Sequence, residues 1–114
     1  MLFHYQLGLP KIINTNFGIM TLNYGKHSLK ESILDKYGKI NLPLTLDTSK
    51  AKVIEIEAKN RYAEKILYRI PYNDNYDLLL AVIPATQFVK TVWLNNKNDK
   101  HCTLDKTKYV NLLK

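Results

Sequence analysis

The sequence predicts an α+β domain. A short N-terminal helix packs on a four-stranded antiparallel β-meander, with an additional strand or hairpin ahead of the helix. Three observations carry this: a capping signature followed by apolar residues at helical spacing near residue 28, strand-like period-two alternation in segments after residue 52, and one continuously apolar strand among them. The 114 residues suffice for a single domain, 1–114, with one modest core. A hydrophobic content of 46% against 24% charged residues places the chain among ordinary globular proteins rather than disordered ones.

In chain order, Leu2 to Ile13 is apolar, broken by Gly8 and Pro10, and Asn14-Thr15-Asn16-Phe17-Gly18 is a turn signal. Ile19 to Tyr24 alternates as a strand. Ser28-Leu29-Lys30-Glu31 reads as a capping box, with Ser28 as N-cap and Glu31 reaching back. Leu29, Ile33, Leu34 and Tyr37 then form the stripe expected to pack inward, and Gly38 is the expected C-terminal cap. Pro43 and the segment 45–49 read as a connection.

The meander follows. Val53 to Lys59 sets Ile54, Ile56 and Ala58 inward and Glu55, Glu57 and Lys59 outward. Lys65 to Tyr72 places Ile66, Tyr68 and Ile70 on one face, with Leu67 and Arg69 on the other. Leu78 to Ile83 is apolar throughout, as a central strand covered on both faces would be. Phe88 to Asn95 is the fourth strand, with Thr91, Trp93 and Asn95 on one face. The segment 103–113 reads equally as a short helix or an extended tail.

Seventeen Lys and Arg against ten Asp and Glu give a formal charge of +7, which suits an anionic partner. Only Arg61 and Arg69 are arginines. Lysine attracts phosphate without the planar fork that reads base edges, so the pattern suits a backbone, RNA first of all, better than duplex DNA sequence. A Lys- and Asn-rich composition also follows from an AT-biased genome. The single cysteine, Cys102, excludes an intrachain disulfide and fits a reducing compartment. No apolar run approaches a membrane span, and Met1 to Gln6 lacks the form of a signal peptide. The expectation is therefore a cytoplasmic protein without a membrane partner.

Candidate chemistry centres on two histidines. His27 is expected just before the helix, where the partial positive charge of the helix start favours the uncharged imidazole that a general base needs. His101 follows Lys97, Asp99 and Lys100, with Asp99 placed to orient the ring. Around them, Arg69 could stabilise a pentavalent phosphate and Thr91 could supply a hydroxyl. Lys26, Lys30, Lys90, Asn95, Lys97, Lys100 and Tyr109 could bind a nucleic acid, and Trp93 could stack a base. A lone Trp in a small domain and a cation between apolar strands also serve as core and as a structural ion pair. For Arg69 the expected partner is Glu55 or Glu57.

No Gly-rich phosphate loop and no metal-spaced Cys/His cluster is present, so the expected chemistry uses no metal and no cofactor. The 2′-hydroxyl of RNA would attack its own phosphate between two histidines. The sequence leaves open whether the chain is an enzyme. A non-enzymatic nucleic-acid-binding or host-takeover module, and a protein-interaction or virion component, are the competing readings. A protein partner or inhibitor is possible in each, and the oligomeric state is not readable.

The order of helix and meander, with basic and histidine residues at both ends, resembles the group of small ribonucleases that includes RelE-type toxins, colicin-type tRNases and EndoU-like nucleases. That resemblance implies roles for His27, Arg69, Thr91 and His101. The scarcity of arginine departs from the RelE type. Locally, 24–29, 35–38, 90–95, 99–101 and 103–105 are similar to small uncharacterised proteins of bacteriophage genomes, a resemblance that implies no activity.

Overall fold

A computed structural model describes residues 11–59, 62–99 and 109–111. Its centre is the expected meander: β5 (Lys52–Lys59), β6 (Tyr62–Pro71), β7 (Tyr76–Ile83) and β8 (Phe88–Asn96), each antiparallel to the next. A fifth strand, β3 (Asn23–Tyr24), joins β8 in parallel but spans only Phe88 and Val89, giving the order β3-β8-β7-β6-β5.

Leu78 to Val82 of β7 are all buried, as expected of a middle strand. One face of the sheet carries Ile66, Tyr68, Leu78, Leu80, Val82, Val92 and Leu94. Val89 and, from outside the meander, Met20, Leu22, Ile40 and Leu46 complete this core. Burial pushes the Tyr68 phenol up, and its hydroxyl donates to the Thr15 carbonyl at 2.7 Å, tying the N-terminal turn to the core.

The expected strand over 19–24 is two strands. β2 (Ile19–Thr21) pairs with β4 (Thr45–Asp47), which lies in the segment read as a connection, whereas β3 turns to the main sheet. The switch is held at Gln87, whose carbonyl accepts from the Asn23 amide and whose side-chain oxygen accepts from the Thr21 amide. Gln87 has φ 57, a left-handed conformation costly for a side-chain-bearing residue, and these two hydrogen bonds offset it. β1 (Lys11–Ile13) and β9 (Tyr109–Asn111) form a separate parallel pair, so the tail at 109–111 is extended.

The helix departs most from expectation. α1 (Lys26–Leu34) starts one turn earlier than the capping box implies, with Gly25 as its N-cap. Ser28 donates to the Gly25 carbonyl and Ser32 to that of Leu29, so both hydroxyls are satisfied within the helix. Gly25 is needed for proximity, because a Cβ there would lie 2.6 Å from the Phe88 ring. The helix ends before Asp35, and Gly38 closes the following turn at φ 110.

Three of the four residues expected inside are outside, Leu29 46% exposed, Ile33 60% and Leu34 67%, while Tyr37, past the helix end, stacks on Tyr76 with ring centroids 4.5 Å apart. The inward residues are Ser28 and Ser32, with Glu31 and Asp35 reaching β8. The physical reason is the strand edge. Beyond Val89, β3 no longer pairs with β8, and the Val92 and Leu94 amides would be left without strand partners. The Glu31 carboxylate accepts from Val92 N–H at 3.1 Å and that of Asp35 from Leu94 N–H at 3.2 Å. Four helical residues rise about 6 Å and two strand residues about 6.8 Å, so an i, i+4 acid pair matches alternate edge amides. The helix thus lies along the sheet's edge strand rather than across its face.

Glu31→Ala should therefore destabilise the fold by about 1–3 kcal/mol, the usual cost of stranding buried donors, whereas Leu29→Ser should fall within about 0.5 kcal/mol of wild type, as exposed substitutions do. Urea denaturation measures both. Equal losses would place the leucine stripe in the core and contradict this packing.

Candidate functional site

Between α1 and β8 lies an open groove of about 500 Å³, lined by His27, Lys30, Glu31, Lys36, Trp93 and neighbouring aliphatic atoms. Glu31 is its hinge point. The Thr91 hydroxyl donates into the Glu31 carboxylate, 2.6 Å from either oxygen, and Val92 N–H donates to Oε1. His27, one turn back on the helix, places Nε2 3.3 Å from Oε2. A carboxylate fixed by the strand thus orients an imidazole whose side chain is 76% exposed at the groove mouth. Lys30 and Lys36 supply cations, and half-buried Trp93 offers an indole opposite them.

Of the expected site residues, the fold brings His27, Lys30, Trp93 and Thr91 together. His27 lies inside the first helical turn rather than before the N-cap, because Gly25 takes that position. The Thr91 hydroxyl is committed to Glu31 and holds the site together rather than facing the groove as a reactant. Lys26 is exposed at the helix start. Asn95 is half-buried, and its side-chain oxygen accepts from the Asn96 amide.

Lys90 is the extra residue at a β-bulge between β7 and β8 and does not line the groove. Its charge acts instead on Glu57, whose carboxyl is held below its ordinary value first by the Lys65 hydrogen bond and in smaller part by Lys90. Lys97 is bound to Asp77 at 2.7 Å. His101 and Lys100 lie outside the described residues. For Tyr109 the structure describes the backbone of β9 alone.

Arg69 lies within the sheet rather than in the groove. It is only 6% exposed; Nε donates to Asp77 at 2.6 Å and a terminal nitrogen to the Asn96 carbonyl at 3.0 Å. Its partner is Asp77 rather than Glu55 or Glu57, because Arg69 pairs with Leu79 across the sheet and Asp77 lies two residues along that same strand and face. The guanidinium ties the ends of β6, β7 and β8 and does not line the groove.

Glu31, Asp35 and Lys36 are site residues that sequence reading missed. The usable signal was the run Ser28, Glu31, Ser32, Asp35, a polar stripe at helical spacing opposite the aliphatic one. Among the described residues no group of three or more His, Cys, Asp or Glu side chains is placed to hold a metal ion, and no helix is long and apolar enough to cross a membrane.

Comparison with protein-family models, curated proteins and solved structures finds no match to this chain. The reading of the groove therefore rests on its own geometry.

Burial pushes the Asp77 carboxyl up, but the hydrogen bonds and charges of Lys97 and Arg69 outweigh it and hold the group below its ordinary value. A carboxyl lowered in the fold contributes stability above its unfolded value, about 3.9, and that contribution disappears as pH falls through the folded value. Acidification below about pH 4 should thus cost wild-type stability that an Arg69→Met/Asp77→Leu variant does not lose. Asp77→Ala alone should cost about 3–5 kcal/mol by leaving a buried guanidinium unpaired. Thermal unfolding across pH 3–7 (about 3 to about 7) checks both, and a variant as acid-labile as wild type would contradict the assignment.

Proposed function

We propose that the groove binds single-stranded RNA and that the protein is a small metal-independent endoribonuclease. The observation that carries the reading is the carboxylate-oriented imidazole of His27, exposed beside two lysines and an indole. The lysines attract the backbone phosphates, and Trp93 offers a stacking face to one unpaired base.

In the proposed step the RNA 2′-oxygen attacks its own 3′-phosphorus and gives its proton to a base. The bond from phosphorus to the 5′-oxygen breaks, and that oxygen takes a proton from an acid. The products are a 2′,3′-cyclic phosphate and a free 5′-hydroxyl. His27 is the proposed base, oriented by Glu31, and Lys30 and Lys36 offset the developing charge. His101 is the sequence candidate for the acid.

A second reading, RNA binding without cleavage, is favoured by one detail. Glu31 already accepts from Thr91 and Val92, so its contact with His27 is compatible with a purely structural carboxylate.

Cleavage of a labelled oligoribonucleotide in EDTA separates the two. The expected result is cyclic-phosphate ends from wild type, a fall of about 10²–10⁴-fold in rate for His27→Ala, binding that is weaker and less salt-sensitive in Lys30→Ala/Lys36→Ala than in wild type, and no cleavage of the matching DNA. Tight binding by wild type with no cleavage, even with total RNA as substrate, would leave the binding module.

A further inference from the structure

We propose that the outward face of α1 docks an acidic, amphipathic helical segment of a partner protein. The face carries Leu29, Ile33 and Leu34, each close to half exposed or more, on a nine-residue helix. At 3.6 residues per turn Lys26 and Lys30 fall among them, with Lys30 between Ile33 and Leu34, and Lys36 follows just beyond the helix end.

Between residues 26 and 39 the only acids are Glu31 and Asp35, and both are turned inward to the β8 edge. Capping the strand thus turns both carboxylates away from the outer face and toward the groove, which they line. Among the described residues none of the three lysines is ion-paired. What remains is an aliphatic face interleaved with cations, beside a groove lined by Leu34 and Trp93 and, at its floor against β8, by the Glu31 and Asp35 carboxylates.

Charge complementarity and shape select the occupant. A nucleic acid accounts for the lysines and leaves the aliphatic strip without a role. A second copy of this chain would bring the same cationic face to its own image, on a protein whose formal charge is already +7. A bilayer is flat and does not fill the concavity beside Leu34. An amphipathic helix whose apolar residues meet Leu29, Ile33 and Leu34 and whose acids meet Lys26 and Lys30 satisfies the aliphatic residues and the lysines together. Because Lys30, Leu34 and Lys36 also line the groove, such a segment would mask the RNA site. That consequence rests on the RNA reading; the docking does not.

The probe is a fluorescein-labelled, end-capped peptide of about 20 residues made of Leu, Ala and Glu, with Leu at the core-facing heptad positions, followed by fluorescence anisotropy. Wild type should bind it saturably. Leu29→Ser/Ile33→Ser should weaken binding by about tenfold or more, as should Lys26→Glu/Lys30→Glu, and a peptide with Lys in place of Glu should not bind.

Neither Leu29 nor Ile33 lines the groove, so the Leu29→Ser/Ile33→Ser variant should keep its urea midpoint and any RNA cleavage shown by wild type. Failure of the RNA reading leaves the peptide result untouched. The proposal is overturned by equal peptide binding in Leu29→Ser/Ile33→Ser, or by no saturable binding to wild type up to about 100 µM. It is equally overturned if the aliphatic strip instead drives uptake on phosphatidylcholine/phosphatidylglycerol vesicles, or a concentration-dependent dimer, that Leu29→Ser/Ile33→Ser abolishes.

Discussion

The amides of Val92 and Leu94 leave the edge of β8 where β3 has already ended, and the carboxylates of Glu31 and Asp35 accept them. The position of the helix depends on this contact. A nine-residue helix is marginal in isolation, and α1 has no acid in its first turn and no base in its last, so its macrodipole is uncompensated. Charge-assisted hydrogen bonds to the strand, together with two buried serines small enough to permit close approach, supply what helix propensity does not. They also protect an edge that would otherwise invite pairing with another chain.

The groove follows from the same contact, since its two walls are the helix and the strand that the carboxylates join. Glu31 therefore has a double role: it accepts from the strand, and it meets the imidazole of His27. Arg69 illustrates the opposite allocation. The only arginine among the described residues is spent on Asp77 and the Asn96 carbonyl, locking one end of three strands, and the groove works with lysines. Among the described residues, the most geometrically specific cation thus serves architecture.

The meander was legible because alternation over Val53–Lys59 and Lys65–Tyr72 has no competing explanation, and the unbroken apolar run of Leu78–Ile83 marks a middle strand. The helix was located, and its facing was inverted. A pattern rule puts Leu29, Ile33 and Leu34 inside because it assumes that the neighbour is an apolar face. Here the neighbour is a strand edge, whose need is for acceptors. β4 and the pairing of β1 with β9 were not legible, because three-residue strands carry too little periodicity and their partners are remote in sequence. Of the site, His27, Lys30 and Trp93 could be picked out by residue type. Lys36 and the positioning role of Glu31 emerge only once helix and strand are side by side.

The parallel pairing of Lys11–Ile13 with Tyr109–Asn111 has a consequence for kinetics. Those strands are separated by almost the whole chain, so bringing them together closes a loop that encloses the meander, and the entropic cost of that closure falls on three residue pairs. The meander, whose paired strands are adjacent in sequence, assembles from near neighbours. In a refolding experiment the sheet should therefore form ahead of the terminal pair, which closes over a scaffold that has already shortened the loop.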